Sequence, residues 1–237
     1  MQRYFTKEIN EDYLILESTD IHHIKNVMRN KIGDKIECIH DKTLYICEII
    51  DLNSNKVKII EKKETDNESE FDVAIAIALV KEQKMDLILQ KLTELGISKI
   101  IPVSMERSIV KLDDKKFLKK KERWEKICKE ASEQSKRNII PEITNIHTIK
   151  QLENLSYNQK FICSTRNKKN LVNNYLQTKD ACATMLFVIG PEGGISPKEE
   201  DLLESFGYIP ITIGNRIMRV ETAAIYIASI INFCSNS

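Results

Sequence analysis

The 237-residue chain is predicted to be an α/β protein: a mainly parallel sheet with helices on both faces, preceded by a small β-barrel. Three observations carry this. Five short runs rich in β-branched and aromatic residues crowd the segment from Arg3 to about Lys63. The stretch Glu61–Asp72, EKKETDNESEFD, is polar, acidic and without apolar periodicity, so it reads as a linker. Beyond it, apolar runs of strand length alternate with amphipathic helical patterns, the mark of a mostly parallel sheet. Residues 1–68 and 72–237 are therefore expected to form separate domains.

In the first domain the runs are RYFT, YLILE, KIECIH, LYICEII and KVKIIEK, punctuated by Gly33-Asp34, His40-Asp41-Lys42 and Leu52–Asn55. Asp20–Asn30 interrupts them as a helical insert, with Ile21, Ile24, Val27 and Met28 on one face. Arg3 beside Tyr4 and Phe5 could set a phosphate-binding charge next to a stacking ring, the pairing used on unpaired RNA. Either ring serves a core equally well.

The second domain opens on VAIAIALV, Val73–Val80, a continuous run of the kind found in a strand buried on both faces. Lys84–Leu95 places Met85, Ile88, Leu89, Leu92 and Leu95 on one side of a helix that Gly96 stops. Lys99–Val103 is the next strand. After Glu106-Arg107-Ser108 comes a long basic helix, from about Lys115 to Arg137, which ends before Pro141. Trp124, Ile127, Cys128 and Ala131 form its buried stripe, while Glu130, Gln134 and Arg137 step along a neighbouring face. Arg107 and Arg137 suit either an RNA contact or a structural salt bridge. The lysines of KKFLKKKER read as a solvated face. Phe161–Ser164 is a strand and Lys169–Gln177 a helix.

The last fifty residues organise the rest. Two apolar runs, Met185–Ile189 and Tyr208–Ile213, each end in glycine, and each following loop opens a helix. Ser196, Pro197 and Glu199 are an N-cap, a first-position proline and a capping-box acid. Gly190, Gly193, Gly194 and Gly214 let main chain approach a ligand without a Cβ in the way. In open α/β sheets such loops lie at the carboxyl ends of strands, where ligands bind. GPEGG matches neither the dinucleotide fingerprint nor the P-loop. Arg216, Arg219 and Glu221 beside Gly214 are more charge than a mere turn needs.

IGPEGGIS and IGNRIMRVETAA together resemble the RsmE family of SPOUT-class methyltransferases. That family's second loop reads leucine-glycine-x-arginine-isoleucine-leucine-arginine-x-glutamate-threonine-alanine, and here Ile213 and Met218 stand where leucine is commoner. Further matches are HHIKNVMR with His23 and Arg29, QKLTELG (Gln90–Gly96), Arg107 in MERS, and Glu130, Ala131, Gln134, Arg137 and Pro141. The resemblance implies a PUA-like RNA-binding barrel, a C-terminal trefoil knot in the sheet domain and a homodimer. It implies S-adenosyl-L-methionine as cofactor, and N3 of a uridine in 16S ribosomal RNA, or in the small ribosomal subunit, as the methyl acceptor. The cofactor would be held by Ile189, Gly190, Pro191, Glu192, Gly193 and Gly194 in the first loop and Ile213, Gly214, Ile217 and Met218 in the second. Arg3, His23, Arg29, Arg107 and Arg137 are the candidate RNA contacts, a structural role for His23 being equally open.

The chemistry assigns the remaining roles. Uracil N3–H is a poor nucleophile, so its proton must leave or the charge growing on O2 and O4 must be stabilised. Arg219 or Arg216 could meet that charge. Glu221 could take the proton or orient an arginine, with Glu192 a weaker candidate base; a carboxylate favoured by the helix dipole is the plain alternative for Glu221. Methylation of transfer RNA or 23S RNA, or a non-catalytic RNA-binding module, are the competing functions.

Composition bounds this reading. With 42% hydrophobic residues and no apolar run of spanning length, the chain is globular and no membrane association is expected. MQRYFTKEIN has no apolar signal region. Six cysteines without a CxxC pair or Cys/His cluster read as buried, reduced thiols of a cytoplasmic protein, with no metal site. Net charge is +1, but residues 1–68 hold 11 Lys/Arg against 14 Asp/Glu, and residues 81–137 hold 16 against 10. Such a field can steer a polyanion to one face.

Overall fold

The computed structural model describes residues 1–65, 67–166, 170–172, 175 and 184–235. The chain divides into two compact units: Met1–Glu68 with Lys129–Ile139, and Ser69–Cys128 with Ile140–Ser237.

The first unit is built on six strands: β1 (Arg3–Phe5), β2 (Glu8–Asn10), β3 (Tyr13–Ile15), β4 (Lys35–His40), β5 (Thr43–Ile49) and β6 (Lys56–Lys63). Their order is β1-β4-β5-β6-β3-β2, with antiparallel pairing throughout except between β1 and β4. Five correspond to the predicted runs. The sixth, β2, is exposed at every position and so leaves no apolar alternation to read. Tyr4, Leu14, Leu16, Ile24, Ile36, Cys38, Cys47, Ile49 and Val57 make one core. The helical insert is α1 (Ser18–His22), which continues as a π-helical turn, His23–Val27. The wider π winding breaks the 3.6-residue spacing. Val27 and Met28, expected on one face with Ile21 and Ile24, are instead 59% and 45% exposed.

Lys129–Ile139, the end of the long basic helix and the turn after it, is held in this unit by buried ion pairs. Arg3 lies 2.9 Å from Glu37 and donates to the carbonyl of Arg137 (3.1 Å) and to Asn138 Oδ1 (2.8 Å). Arg137 Nη2 meets Glu68 at 2.6 Å, while the Asn138 and Ile139 amides donate to the other Glu68 oxygen at 2.7 and 3.1 Å. Lys129 Nζ reaches Asp20 at 3.0 Å and Glu17 at 3.1 Å.

Glu133 is buried in the same place, 3.9 Å from Lys129 Nζ. Burial, the largest cause, pushes its pKa up from 4.5 to about 7, and Asp20 is raised by burial as well. A carboxyl raised in the folded state holds a proton that the unfolded chain has already lost. Stability is therefore expected to fall by roughly 2–3 kcal/mol as pH rises from about 4.5 to 7. Glu133→Gln should flatten that slope and be the more stable protein at pH 8, as measured by urea unfolding across the pH range.

The second unit is a seven-stranded sheet, parallel at every pairing: β7 (Asp72–Ala78), β8 (Lys99–Ser104), β9 (Glu142–Ile143), β10 (His147–Thr148), β11 (Gln159–Cys163), β12 (Thr184–Ile189) and β13 (Ile209–Ile211). The order is β10-β8-β7-β12-β11-β13, with β9 beside the start of β8. Strand β7 shows why the VAIAIALV run reads as doubly buried. Val73, Ile75 and Ile77 enter one core, and Ala74, Ala76 and Ala78 enter another on the opposite face.

The large-residue face is covered by α2 (Glu82–Glu94) and α3 (Asp114–Gln134), through Met85, Ile88, Leu89 and Leu92 and through Phe117, Trp124 and Cys128. The alanine face is covered by a 3-10 turn, Ile149–Asn154, and by α4 (Pro197–Ser205), with Leu152 and Leu203 fully buried. The last helix, α5 (Val220–Ser235), returns to the first face beside α2, burying Val220, Ala223, Ala224, Ile227, Ala228 and Ile231. Tyr226 and Phe233, on its other side, are 40% and 73% exposed. Helices thus cover both faces, as predicted.

The predicted helix Lys169–Gln177 and Cys182 fall mostly or wholly outside the described residues. Cys38, Cys47 and Cys128 are buried, and burial pushes Cys163 up to about 12. Among the described residues no helix is long and apolar enough to cross a membrane.

Candidate functional site

Strands β12 and β13 lie on either side of β11 in parallel register, so their carboxyl ends open on one edge of the sheet. The first loop leaves β12 at Ile189. Its turn is closed by the Gly194 amide, which donates to the Pro191 carbonyl at 2.8 Å, with Gly194 at φ 71°. Ser196 then caps α4: its hydroxyl accepts from the Glu199 amide (3.3 Å), and its own amide donates to Glu199 (3.2 Å). This is the predicted start signal.

Contacts from the segment after β8 fix this loop. Ser196 Oγ donates to Glu106 Oε2 at 2.8 Å, and the Glu106 amide donates to Glu199 Oε1 at 2.7 Å. Arg107 Nη1 donates to the Gly193 carbonyl at 2.9 Å, which places Arg107 on the loop itself. At the end of β11, the Ser164 hydroxyl donates to the buried Glu200 in the first turn of α4. Arg166 sits 3.0 Å from Asp201 on the same helix.

The glycines of the two loops do different things. A Cβ on Gly190 would lie 2.6 Å from Ile195 Cγ1 and 2.9 Å from the Ile195 amide nitrogen, so its space is filled by the loop's own main chain. On Gly193 it would press on the Arg107 side chain at 3.3 Å. Beside Gly194 and Gly214, both at positive φ, there is open space. A side chain would find space at Gly194 and Gly214, whereas at Gly190 it would meet the loop's own residues, so Gly190 is needed for the turn to close.

The second loop leaves β13 at Ile211. Thr212 Oγ1 accepts from the Gly214 amide and donates to the Gly214 carbonyl, a local clasp that sets φ 125° at the glycine. Ile213 and Met218 pack against the core, while Ile217 is 88% exposed. The Arg219 carbonyl accepts the first bond of α5 from the Ala223 amide at 2.8 Å. The Arg216 and Arg219 side chains are exposed and Glu221 is half-buried.

Lys84, in the first turn of α2, links the first loop to the start of α5. Its Nζ lies 2.7 Å from Glu192 in the first loop and 3.7 Å from Glu221 in the first turn of α5, just after the second. The hydrogen bond with Lys84 holds the Glu192 carboxyl below its ordinary value, and the same bond raises Lys84. The sequence reading passed over Lys84, Glu106, Ser164 and Glu200.

Of the candidate RNA contacts, Arg3 and Arg137 are buried in the ion pairs described above, at 2% and 4% exposure. His23 is half-buried, its Nδ1 sharing a 3.1 Å hydrogen bond with the Tyr4 hydroxyl. Arg29 is exposed and ends the π-helical turn at φ 55°.

The edge thus brings together positive-φ glycines, with carboxylates and a cation close by. Residues 67–232 match the RNA methyltransferase domain family, and residues 16–62 match an RNA methyltransferase PUA domain. The chain is 37% identical to ribosomal RNA small subunit methyltransferase E of Bacillus subtilis, over 98% of this chain and 96% of that protein. A methyltransferase of Legionella pneumophila, solved with bound S-adenosylmethionine, superposes with a TM-score of 0.90 at 29% identity, covering 98% of this chain and 97% of the other. Ribosomal RNA small subunit methyltransferase E of Neisseria gonorrhoeae, also bound to S-adenosylmethionine, gives 0.87 at 27% identity, with 98% and 97% covered. In sequence and in fold, along nearly its whole length, the chain belongs to the ribosomal RNA small subunit methyltransferase E family of SPOUT methyltransferases.

Proposed function

We propose that this enzyme transfers a methyl group from S-adenosyl-L-methionine to N3 of one uridine in 16S ribosomal RNA. The observation that carries the reading is the pair of loops, Ile189–Gly194 and Ile213–Met218, converging at one sheet edge under Arg216, Arg219 and Glu221. When bound, the cofactor supplies an electrophilic methyl on a sulfonium. Main chain at Ile189, Gly190, Pro191, Gly193, Gly194, Ile213 and Gly214 would hold it, with Glu192, Ile217 and Met218 at the margins.

The chain's own work is then positioning and charge. Arg219, with Arg216 beside it, meets the negative charge that grows on the uracil oxygens. Glu221 takes the N3 proton or orients the guanidinium. The uridine must be unstacked for N3 to be reached, which favours an unpaired segment of RNA.

RNA binding falls to the first unit, in which Lys129–Ile139 joins the PUA-like residues 1–68 expected from sequence, and the chemistry to the second, which lacks that segment of the expected 72–237. Arg29 and His23 lie on the surface or near it, while Arg3 and Arg137 act by holding the unit's shape. Arg107 acts through the first loop. The return of α5 from the β13 edge to α2 is what a trefoil-knotted C-terminus would produce. Exposed Tyr226, Phe233 and Ile217 suit a homodimer with its interface on α5, and the setting is the cytoplasm.

The test is mass-spectrometric mapping of uridines in small subunits from cells lacking the gene, before and after incubation with protein and cofactor. One N3-methylated uridine appearing in 16S RNA is the expected result. Modification confined to transfer RNA or 23S RNA would replace the substrate, and no modification would refute the reading.

A further inference from the structure

We propose that Lys84 is a positioning residue that ties the first cofactor-side loop to the start of α5 and sets the Glu221 carboxylate for methyl transfer. The proposal rests on the methyltransferase reading above and adds a role for a residue that belongs to neither loop.

The geometry singles out this lysine among the surface cations. Exposed ion pairs that merely meet on a surface contribute little. Lys84 instead sits between a carboxylate of the first loop and one in the first turn of α5, far apart in the chain, on two elements that must be correctly spaced around one ligand. An ammonium has three donors on a flexible stem, so it can serve two carboxylates on different elements where a planar guanidinium would favour one. Glu192 already takes one donor at 2.7 Å.

Glu221 is the informative partner. Its Oε2 is buried and accepts no hydrogen bond, and Lys84 Nζ stands 3.7 Å away. A buried carboxylate oxygen with no donor is costly to keep, so it needs a charge close by. Closing the gap to hydrogen-bond range takes a movement of about 1 Å. Arg219 also bears on Lys84 and works against its charge. With Lys84 meeting the carboxylates, Arg219 stays exposed at the rim, where substrate can reach it.

The experiment uses the full-length protein as K84M, K84R, E192Q, E221Q and the K84M/E221Q and K84M/E192Q doubles. S-adenosylmethionine binding is measured by calorimetry, and single-turnover methyl transfer on unmodified small subunits. K84M is expected to lose roughly tenfold in cofactor affinity, as for one charge-assisted hydrogen bond. Its transfer rate is expected to fall on the order of 100-fold, the effect of a small misplacement. K84R should regain most of the affinity but only part of the rate. E192Q should weaken the cofactor as much as K84M and add nothing to it, and K84M/E221Q should be no slower than E221Q. Wild-type affinity and rate in K84M, or single effects that multiply in the doubles, would overturn the role of Lys84. Wild-type protein that neither binds the cofactor nor methylates would overturn the methyltransferase reading itself, and the proposal with it.

Discussion

An Arg219→Ala enzyme should bind S-adenosylmethionine within about threefold of wild type, yet transfer methyl on the order of 100- to 1000-fold more slowly. The side chain is exposed and α5 starts through the Arg219 carbonyl, so truncation removes a guanidinium without touching the core or the helix. The cofactor is proposed to rest on main chain, which is why affinity should survive. Rate should not. As N3–H gives up its proton, negative charge collects on O2 and O4, and a cation fixed there stabilises this anion-like transition state more than the neutral ground state. Arg219→Lys keeps the charge and loses the fork, so it should recover part of the rate. Arg216→Ala supplies the internal comparison, because both arginines are exposed on the same loop. A larger loss for Arg216 would exchange their roles. Single-turnover transfer at the wild-type rate in both variants would remove arginine from the chemistry.

The site was legible in the sequence wherever residue type restricts conformation. Ser196-Pro197-Lys198-Glu199 can hardly be anything but a helix start, and the capping box is there. Val73–Val80 could be read as a two-faced strand because small and branched residues alternate in it, and the two faces are filled accordingly. Strands of two residues, β9 and β10, are beyond such reading: they exist only because β8 offers an edge. The π-helical turn at His23–Val27 changes the phase of the helix with no residue that announces it.

Polar partnerships were the least legible part. Ser196 meets Glu106 across 90 positions and Lys84 meets Glu192 across 108, so no local window contains either pair. Arg3 and Arg29 look equivalent as single letters. One is buried against Glu37 and Asn138, the other is exposed at the end of a helical turn, and only packing separates them.

The other large effect expected is at Gly190. Gly190→Ala should lose at least about 100-fold in cofactor affinity, for a different reason from a substitution at Gly214. The added methyl would meet the Ile195 amide nitrogen at 2.9 Å and the Gly194 carbonyl carbon at 3.2 Å, so the main chain must give way. Displacing residues 194–195 displaces the turn closed on Pro191 and, through Ser196, the start of α4. Gly214→Ala meets no atom within 4 Å but must hold φ 125°, where an L-residue is strained by roughly 1–3 kcal/mol. Its affinity loss should be smaller. Gly207, at φ 82° after α4 and with open space beside it, is the control. Gly207→Ala should lower the melting temperature as much as Gly214→Ala while leaving calorimetric affinity intact. If all three variants bind the cofactor like wild type at equal fold content, the two glycine loops are ordinary turns and the binding site must be sought elsewhere.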